Sequence, residues 1–190
     1  MDKSVVIAGG SGLIGKRLTE LLVAKNYSVA WLSRKTSDTS VKTFQWNPES
    51  HSISDNEWLK YKNLIILSGE NIASHAWTDD YKNKIIDSRV AVAKTLRSAL
   101  STENHSITKM IAASAIGYYG DGGEKFFSEN DHEGKGFLSF TTKKWEDAYT
   151  DFPIDVTTFR IGVVLSKNGG ALPELSFPMK FGTAPTLGTG

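Results

Sequence analysis

Residues 4–15 read Ser-Val-Val-Ile-Ala-Gly-Gly-Ser-Gly-Leu-Ile-Gly, an apolar run followed directly by a glycine-rich segment. The run Ser4 to Ala8 is a predicted strand, and Leu18 and Leu22 continue an apolar stripe at helical spacing. Glycine suits the segment between them because the chain must turn sharply and the helix must pack closely on the strand. The stretch therefore predicts a strand, a tight turn and a helix that starts inside the turn.

The same turn predicts a binding site for a pyrophosphate. Main-chain N–H groups at a helix N-terminus, together with the positive end of the helix dipole, attract anions. Both Gly10-x-Gly12-x-x-Gly15 and Gly9-x-x-Gly12-x-x-Gly15 fit known dinucleotide patterns, and spacing alone does not separate them. A tight turn without a ligand is the alternative, but the place after a first strand favours a cofactor. The predicted phosphate-binding residues are Gly9, Gly10, Ser11, Gly12, Leu13, Ile14 and Gly15.

Beyond the turn, short β-branched runs alternate with longer helical patterns. The predicted strands are Ser4 to Ala8, Ser28 to Ser33, Val41 to Trp46, Asn63 to Leu67, Met110 to Ser114 and Val156 to Ile161. The predicted helices carry apolar stripes over residues 13–22, 81–100 and 138–149, and residues 121–136 are predicted to form a long surface loop. This alternation predicts an α/β domain, a doubly wound parallel sheet of the Rossmann type with helices on both faces.

Composition excludes several classes of protein. The 190 residues hold 22 basic and 21 acidic side chains, so no charge excess favours a nucleic-acid partner. There is no cysteine, which excludes disulfides and thiolate chemistry, and the four histidines are scattered, so no metal site is expected. Neither a signal peptide nor an apolar stretch of membrane-spanning length is visible, so we expect a cytoplasmic protein without a membrane partner that acts on a small molecule.

The end of the second predicted strand reads Ser33-Arg34-Lys35. An NAD-selective domain places an acidic side chain there to bind the ribose 2′-OH, whereas a hydroxyl and two cations suit a 2′-phosphate. The pattern therefore favours NADP. NAD stays open, because surface cations are commonly just solvated and because Asp38 lies close by.

Several further motifs give the chain a family resemblance. They are Leu67-Ser68-Gly69-Glu70-Asn71-Ile72, Asp87-Ser88-Arg89-Val90, Ser114-Ala115-Ile116-Gly117-Tyr118-Tyr119-Gly120, Trp145-Glu146 and Arg160-Ile161-Gly162-Val163-Val164-Leu165. With the glycine turn, they make the chain resemble the atypical short-chain dehydrogenase/reductases, an NAD-dependent epimerase/dehydratase-like family of unknown substrate. The resemblance implies that residues 1–165 form an NADP-binding Rossmann domain. It also implies that residues 166–190 begin a substrate-side region continuing beyond this chain, and we expect no regular element in residues 173–190.

Short-chain dehydrogenases ordinarily transfer a proton with a Tyr whose pKa is lowered by a Lys four residues later, beside a Ser or Thr that binds the substrate oxygen. Here Phe140 and Lys144 have the spacing without a hydroxyl, so the pair is absent. The predicted catalytic residues are Ser114, Tyr118 and Tyr119. Alignment on Tyr118 places Ser114 at the hydroxyl position, whereas alignment on Tyr119 places Ala115 there.

The remaining predicted cofactor-binding residues lie at or just after the ends of the later strands or on the long helix. They are Ser68, Gly69, Glu70, Arg89 and Ala113, and the resemblance implies that Arg160 and Gly162 also contact the cofactor. Glu70 is also a candidate acid, or a turn residue that bonds main-chain amides. Arg89 reaches either the cofactor or a carboxylate such as Glu70, and Trp145 packs in the core or replaces part of the pocket wall. An oxidoreductase or epimerase is predicted, with a non-catalytic NADP sensor as the alternative and a homodimer through the long helices as an expectation.

Overall fold

The computed structural model describes residues 3–35, 40–102 and 104–183. Its first unit, residues 1–160, opens with strand β1 (Ser4–Ala8), helix α1 (Leu13–Ala24) and strand β2 (Ser28–Ser33). The predicted strand, turn and helix are therefore present. Helix α1 begins directly after Gly12, inside the glycine segment.

The strands and helices that follow, apart from β4, lie within about two residues of their predicted ends. They are β3 (Lys42–Asn47), β4 (Ser52–Ile53), β5 (Asn63–Ile66), α2 (Asp79–Thr102), β6 (Lys109–Ala115), α3 (Phe137–Asp147) and β7 (Val156–Ile161). Strand β4 was not predicted, because two residues are too few to show a period. The predicted loop over residues 121–136 contains no helix or strand.

The sheet has seven strands in the order β4-β3-β2-β1-β5-β6-β7. Strand β1 pairs in parallel with both β2 and β5, the pairs β2–β3 and β5–β6 are also parallel, and the edge strand β4 is antiparallel to β3. The chain winds outward from β1 in both directions, and right-handed crossovers then place α1 on one face and α2 and α3 on the other. The doubly wound α/β fold is thus confirmed, with an antiparallel edge strand added.

Burial explains why the central strands are almost wholly apolar. All five residues of β1 are buried, as are the three residues Ala30 to Leu32 of β2 and Leu64 to Ile66 of β5. A strand covered by helices on both faces has no solvent side, so its sequence does not alternate. The switch in winding direction falls between β1 and β5. In such sheets the carboxyl ends of the strands beside this point form the ligand crevice.

The second unit, residues 161–190, contains a short hairpin and one helix. Strands β8 (Leu165–Ser166) and β9 (Gly169–Gly170) pair antiparallel, and helix α4 (Ala171–Met179) follows. The prediction of no regular element from residue 173 onward was wrong for residues 173–179. Pro173 did not prevent the helix because it lies in the first turn, where an N–H has no partner within the helix. Residues 184–190 lie outside the described range.

Candidate functional site

Every glycine of the turn between β1 and α1 is held close to other atoms. Gly9 has φ +86°, and a Cβ on it would lie 2.9 Å from the amide nitrogen of Ser68. A Cβ on Gly15 would lie 2.5 Å from the carbonyl oxygen of Gly9, and one on Gly10 would overlap the ring of Trp31. Helix α1 therefore packs directly on the turn. The turn itself packs on the residues that follow β5. Gly9, Gly10 and Gly15 therefore sit where a side chain has little or no room, whereas a Cβ on Gly12 would meet one atom, at 3.3 Å.

A buried hydrogen bond between the side chains of Trp31 and Thr19, the bridge, holds α1 against β2 beside this turn. The Trp31 Nε1–H donates to Thr19 Oγ1 at 2.9 Å, and Thr19 Oγ1 donates to the Gly15 carbonyl at 2.8 Å. Both side chains are buried. The bridge joins β2 to the first turns of α1, and no sequence spacing pointed to it.

We expect Thr19→Val to destabilise the protein by about 1–3 kcal/mol, because the Trp31 N–H would be left buried without an acceptor. Urea unfolding followed by tryptophan fluorescence measures the change. Thr102→Val is the matched control, since Thr102 makes the same kind of bond to a carbonyl four residues earlier but is exposed. It should change stability by less than about 0.5 kcal/mol. Equal effects of the two substitutions would contradict the role of the bridge.

The N-terminus of α1 faces the crevice without a side-chain cap. Gly12 is its N-cap residue and makes no side-chain hydrogen bond, so its first main-chain N–H groups are not covered by a cap. The N–H groups of Leu13 and Ile14 belong to this first turn, and the dipole of a twelve-residue helix points its positive end there. This arrangement suits a phosphate group.

A cleft of about 700 Å³ runs over this helix end. It brings together nine predicted cofactor-binding residues, namely Gly9, Ser11, Gly12, Ser33, Arg34, Lys35, Ser68, Gly69 and Glu70. Sequence reasoning missed the rest of its lining, which includes Trp46, Pro48, Glu49, Leu67, Ser88 and Val92. Gly10 lies in the turn, and Leu13, Ile14 and Gly15 are the first residues of α1, outside the lining of the cleft. Asp38 lies outside the described residues.

Glu70 stands at one side of the cleft with two side chains of α2. Its carboxylate is 3.4 Å from the Tyr81 hydroxyl and 3.5 Å from Lys84 Nζ, and its main-chain N–H donates to Ser88 Oγ at 3.0 Å. The carboxylate and the main-chain amide of Glu70 therefore both contact side chains of α2. Tyr81 also donates to the carbonyl of Asn71, which ties the segment after β5 to α2.

Arg89 of α2 is buried beneath Gly69 and Glu70. Its guanidinium donates to the carbonyls of Ile85 at 2.8 Å and Glu70 at 3.1 Å, and it lies 4.8 Å from the ring of Trp145. Burial lowers the pKa of Arg89, and the nearby Glu70 partly offsets this. The guanidinium thus bonds the main chain of Glu70 and not its carboxylate, and Trp145 is a buried partner of this cation.

A second cluster lies at the carboxyl ends of β6 and β7. Ser114 is 3% exposed and its hydroxyl donates to Glu146 Oε1 at 2.5 Å. Ala113 and Ala115, its neighbours along β6, point to the opposite face of the strand. Glu146 accepts two hydrogen bonds from Arg160, each of 2.9 Å, and this pairing raises the pKa of Arg160.

Arg160 connects this cluster to the two predicted catalytic tyrosines. Its Nη1 donates to the Tyr119 hydroxyl at 2.8 Å and to the carbonyl of Glu129 at 3.3 Å, and its guanidinium lies 3.5 Å from the centre of the Tyr118 ring. Tyr119 in turn donates to the carbonyl of Ser128. Glu146 and Arg160 are 14 residues apart on different elements, so no local pattern predicts their contact.

Phe140, Lys144 and Gly162, which were also named from the sequence, make none of the contacts described above. Phe140 and Lys144 are neighbours on α3, with Lys144 Nζ 5.6 Å from the phenyl ring, and Phe140 is 54% exposed. Gly162 follows β7 in the second unit. Among the described residues, no three His, Asp or Glu side chains are placed to hold a metal ion, and no helix is long and apolar enough to cross a membrane.

Comparison with known proteins identifies the family of this chain. The model of the NAD dependent epimerase/dehydratase family matches residues 5–136, which include the glycine turn and both predicted tyrosines. The chain belongs to this family. Epimerase family protein Mb2239 of Mycobacterium bovis is 34% identical over 189 residues, and epimerase family protein YfhF of Bacillus subtilis is 31% identical over 194. Each alignment covers 98% of this chain but 62% and 63% of the relative, so the chain spans about three fifths of their length.

Solved structures of the epimerase family agree with the fold described above. Human epimerase family protein SDR39U1 (isoform 2), crystallised with NADPH, superimposes with a TM-score of 0.81 at 27% identity over 94% of this chain and 60% of its own. A nucleoside-diphosphate sugar epimerase from Corynebacterium glutamicum gives a TM-score of 0.78 at 30% identity, covering all of this chain and 39% of its own. The short-chain dehydrogenase/reductase type of Rossmann domain is therefore established for this member of the family.

Proposed function

We propose that the chain is the cofactor-binding part of an NADP(H)-dependent oxidoreductase or nucleotide-sugar-epimerase-like enzyme whose substrate is a small molecule. The observation that carries the proposal is the 700 Å³ cleft, which combines the uncapped N-terminus of α1 with Arg34 and Lys35 at the end of β2. The NADPH in the human relative's structure supports the same cofactor.

The residues of the cleft divide between the two halves of such a cofactor. The turn from Gly9 to Gly15 would bind the pyrophosphate through main-chain N–H groups, and Ser33, Arg34 and Lys35 would bind the 2′-phosphate. The ribose and nicotinamide would then lie over β5, β6 and β7, within reach of Ser68, Gly69, Glu70, Arg89, Ala113 and Arg160. When bound, the nicotinamide ring supplies or accepts a hydride.

The proton that accompanies the hydride needs a donor other than the absent Tyr and Lys pair. Ser114, Tyr118 and Tyr119 are the proposed catalytic residues on the β6 side, with the Glu70 carboxylate as a second candidate at the cleft. The Ser114 hydroxyl is already committed to Glu146, so Ser114 would contact a substrate oxygen only after that bond changes. Tyr119 is favoured among these residues because its hydroxyl accepts from Arg160 at 2.8 Å and is thereby held in place at the end of β7.

We expect the chain to bind NADPH about tenfold or more tightly than NADH, because charge-assisted bonds to a phosphate are worth about 1.5–3 kcal/mol. Calorimetric titration with each dinucleotide measures both dissociation constants. Raising the salt concentration should weaken NADPH binding more than NADH binding, since the surface charges are screened. Tighter binding of NADH would contradict the assignment of Ser33, Arg34 and Lys35 to a 2′-phosphate.

The alternative is a non-catalytic sensor whose conformation follows NADP occupancy. It is favoured by Phe140 standing where the acid-base tyrosine is expected. Oxidation of NADPH by a full-length relative, screened against sugars, quinones and aldehydes, separates the two. Thermal stabilisation by NADPH without turnover of any compound class would favour the sensor.

We also propose an organisation for the whole protein. Residues 1–165 form the NADP-binding domain and residues 166–190 begin a substrate-side region, an arrangement supported by the greater length of the relatives. A cytoplasmic homodimer that packs through its long helices, without nucleic acid or membrane as a partner, completes the proposal.

A further inference from the structure

Glu146 and Arg160 form a bidentate ion pair, the clamp, in which each charge is neutralised by the other. Arg160 uses four of its five N–H donors, two on Glu146 and one each on Tyr119 and the carbonyl of Glu129. Both side chains of the ion pair are less than one-fifth exposed. Such a pair is rigid because its geometry is bidentate and two further donors of Arg160 are bonded to Tyr119 and Glu129.

The clamp joins three elements whose ends meet at one edge of the sheet. Glu146 lies on α3, Arg160 lies near the end of β7, and Ser114 near the end of β6 bonds the same carboxylate. The contacts of Arg160 with Tyr118, Tyr119 and Glu129 reach the segment 116–136, which contains one short turn of 3-10 helix and otherwise no regular structure. In a doubly wound sheet this side of the crevice receives the nicotinamide half of a dinucleotide.

We propose that Glu146 is a positioning residue, which holds Arg160 and through it fixes the Tyr118–Tyr119 turn as a preformed wall for the nicotinamide half of the cofactor. The role rests on the proposed binding of NADP(H). If the Tyr118–Tyr119 turn is already ordered, NADPH binding does not have to supply the free energy of ordering that turn. The clamp should therefore raise the affinity for NADPH, although neither of its residues would contact the adenosine half of the cofactor. Nothing in the spacing of the sequence assigns this role to Glu146.

The test compares two ligands of the 190-residue chain. NADPH spans both halves of the crevice and its reduced ring is fluorescent, whereas 2′,5′-ADP occupies the adenosine half alone. For Glu146→Gln we expect NADPH to bind about fivefold more weakly, with a smaller change in nicotinamide emission, and 2′,5′-ADP to bind within about twofold of the unmodified chain. Asp147→Asn is the matched control, because Asp147 forms an exposed pair with Lys143 on the same helix. It should change neither ligand.

A second variant keeps the test decisive if Glu146→Gln does not fold. Tyr119→Phe removes the hydroxyl that accepts from Arg160 but keeps the ring that stacks on Phe127, so it should reproduce the NADPH effect in smaller measure. Equal weakening of both ligands, an unchanged NADPH signal in the variants, or NADPH binding without any change in nicotinamide emission would each overturn the role of the clamp. If the unmodified chain binds neither ligand, the proposed function itself fails, which is a different result.

Discussion

Gly15→Ala is expected to destabilise the protein by about 3 kcal/mol or more and to remove measurable binding of NADPH. The added Cβ would lie 2.5 Å from the carbonyl oxygen of Gly9 and 2.6 Å from the Cα of Gly10. Both contacts are with main-chain atoms, so no side chain can move aside and α1 must shift away from the turn. Alanine favours a helix over glycine by about 1 kcal/mol, which is too little to offset such overpacking.

Thermal unfolding with and without NADPH measures both consequences of Gly15→Ala. A loss of about 3 kcal/mol in a chain of this size corresponds to a fall of about 10 °C in Tm. Gly12→Ala is the control for stability, because Gly12 has φ −74° and a Cβ there would meet one atom, at 3.3 Å. It should cost only about 1 kcal/mol. A Gly15→Ala protein as stable as the unmodified chain would refute the close packing of α1 on the turn.

Arg34→Asp is expected to weaken NADPH binding by about 100-fold while leaving NADH binding unchanged or slightly stronger. The substitution removes a charge-assisted bond to the 2′-phosphate, worth about 1.5–3 kcal/mol, and adds a like charge beside it. An aspartate at this strand end can instead accept a hydrogen bond from the ribose 2′-OH of NADH. Arg34 is exposed, so the fold should tolerate the change.

The selectivity of Arg34→Asp is measured as the ratio of the NADH and NADPH dissociation constants. Lys35→Ala serves as the comparison, since a solvated lysine acts as a point charge and should contribute about threefold at most. Circular dichroism of both variants establishes that they are folded. If Lys35→Ala costs more than Arg34→Asp, the 2′-phosphate is bound by the lysine and the assignment within this strand end is wrong.

The order of strands and helices follows from local pattern. Val5 to Ala8 and Leu64 to Ile66 are apolar throughout because strands covered on both faces have no solvent side, and the stripe on α2 repeats at the helical period. The glycine turn could also be predicted from local sequence, because positive φ and close packing of the main chain both require glycine. Several local features escaped: β4, β8 and β9 have two residues each and are too short to show a period, and Pro173 concealed α4.

Much of the candidate cleft could also be predicted, since nine of its lining residues lie in strand ends and turns that a doubly wound fold brings to one edge. The sequence by itself therefore determined the α/β fold, the glycine turn between β1 and α1, and the basic end of β2. Only the tertiary structure decided that Trp31 bridges to Thr19, that Arg89 bonds the main chain of Glu70, and that Glu146 joins Ser114 to Arg160. These contacts join residues 12 to 32 positions apart on different elements. Their geometry depends on how helices and strands pack, which no periodicity along the chain records.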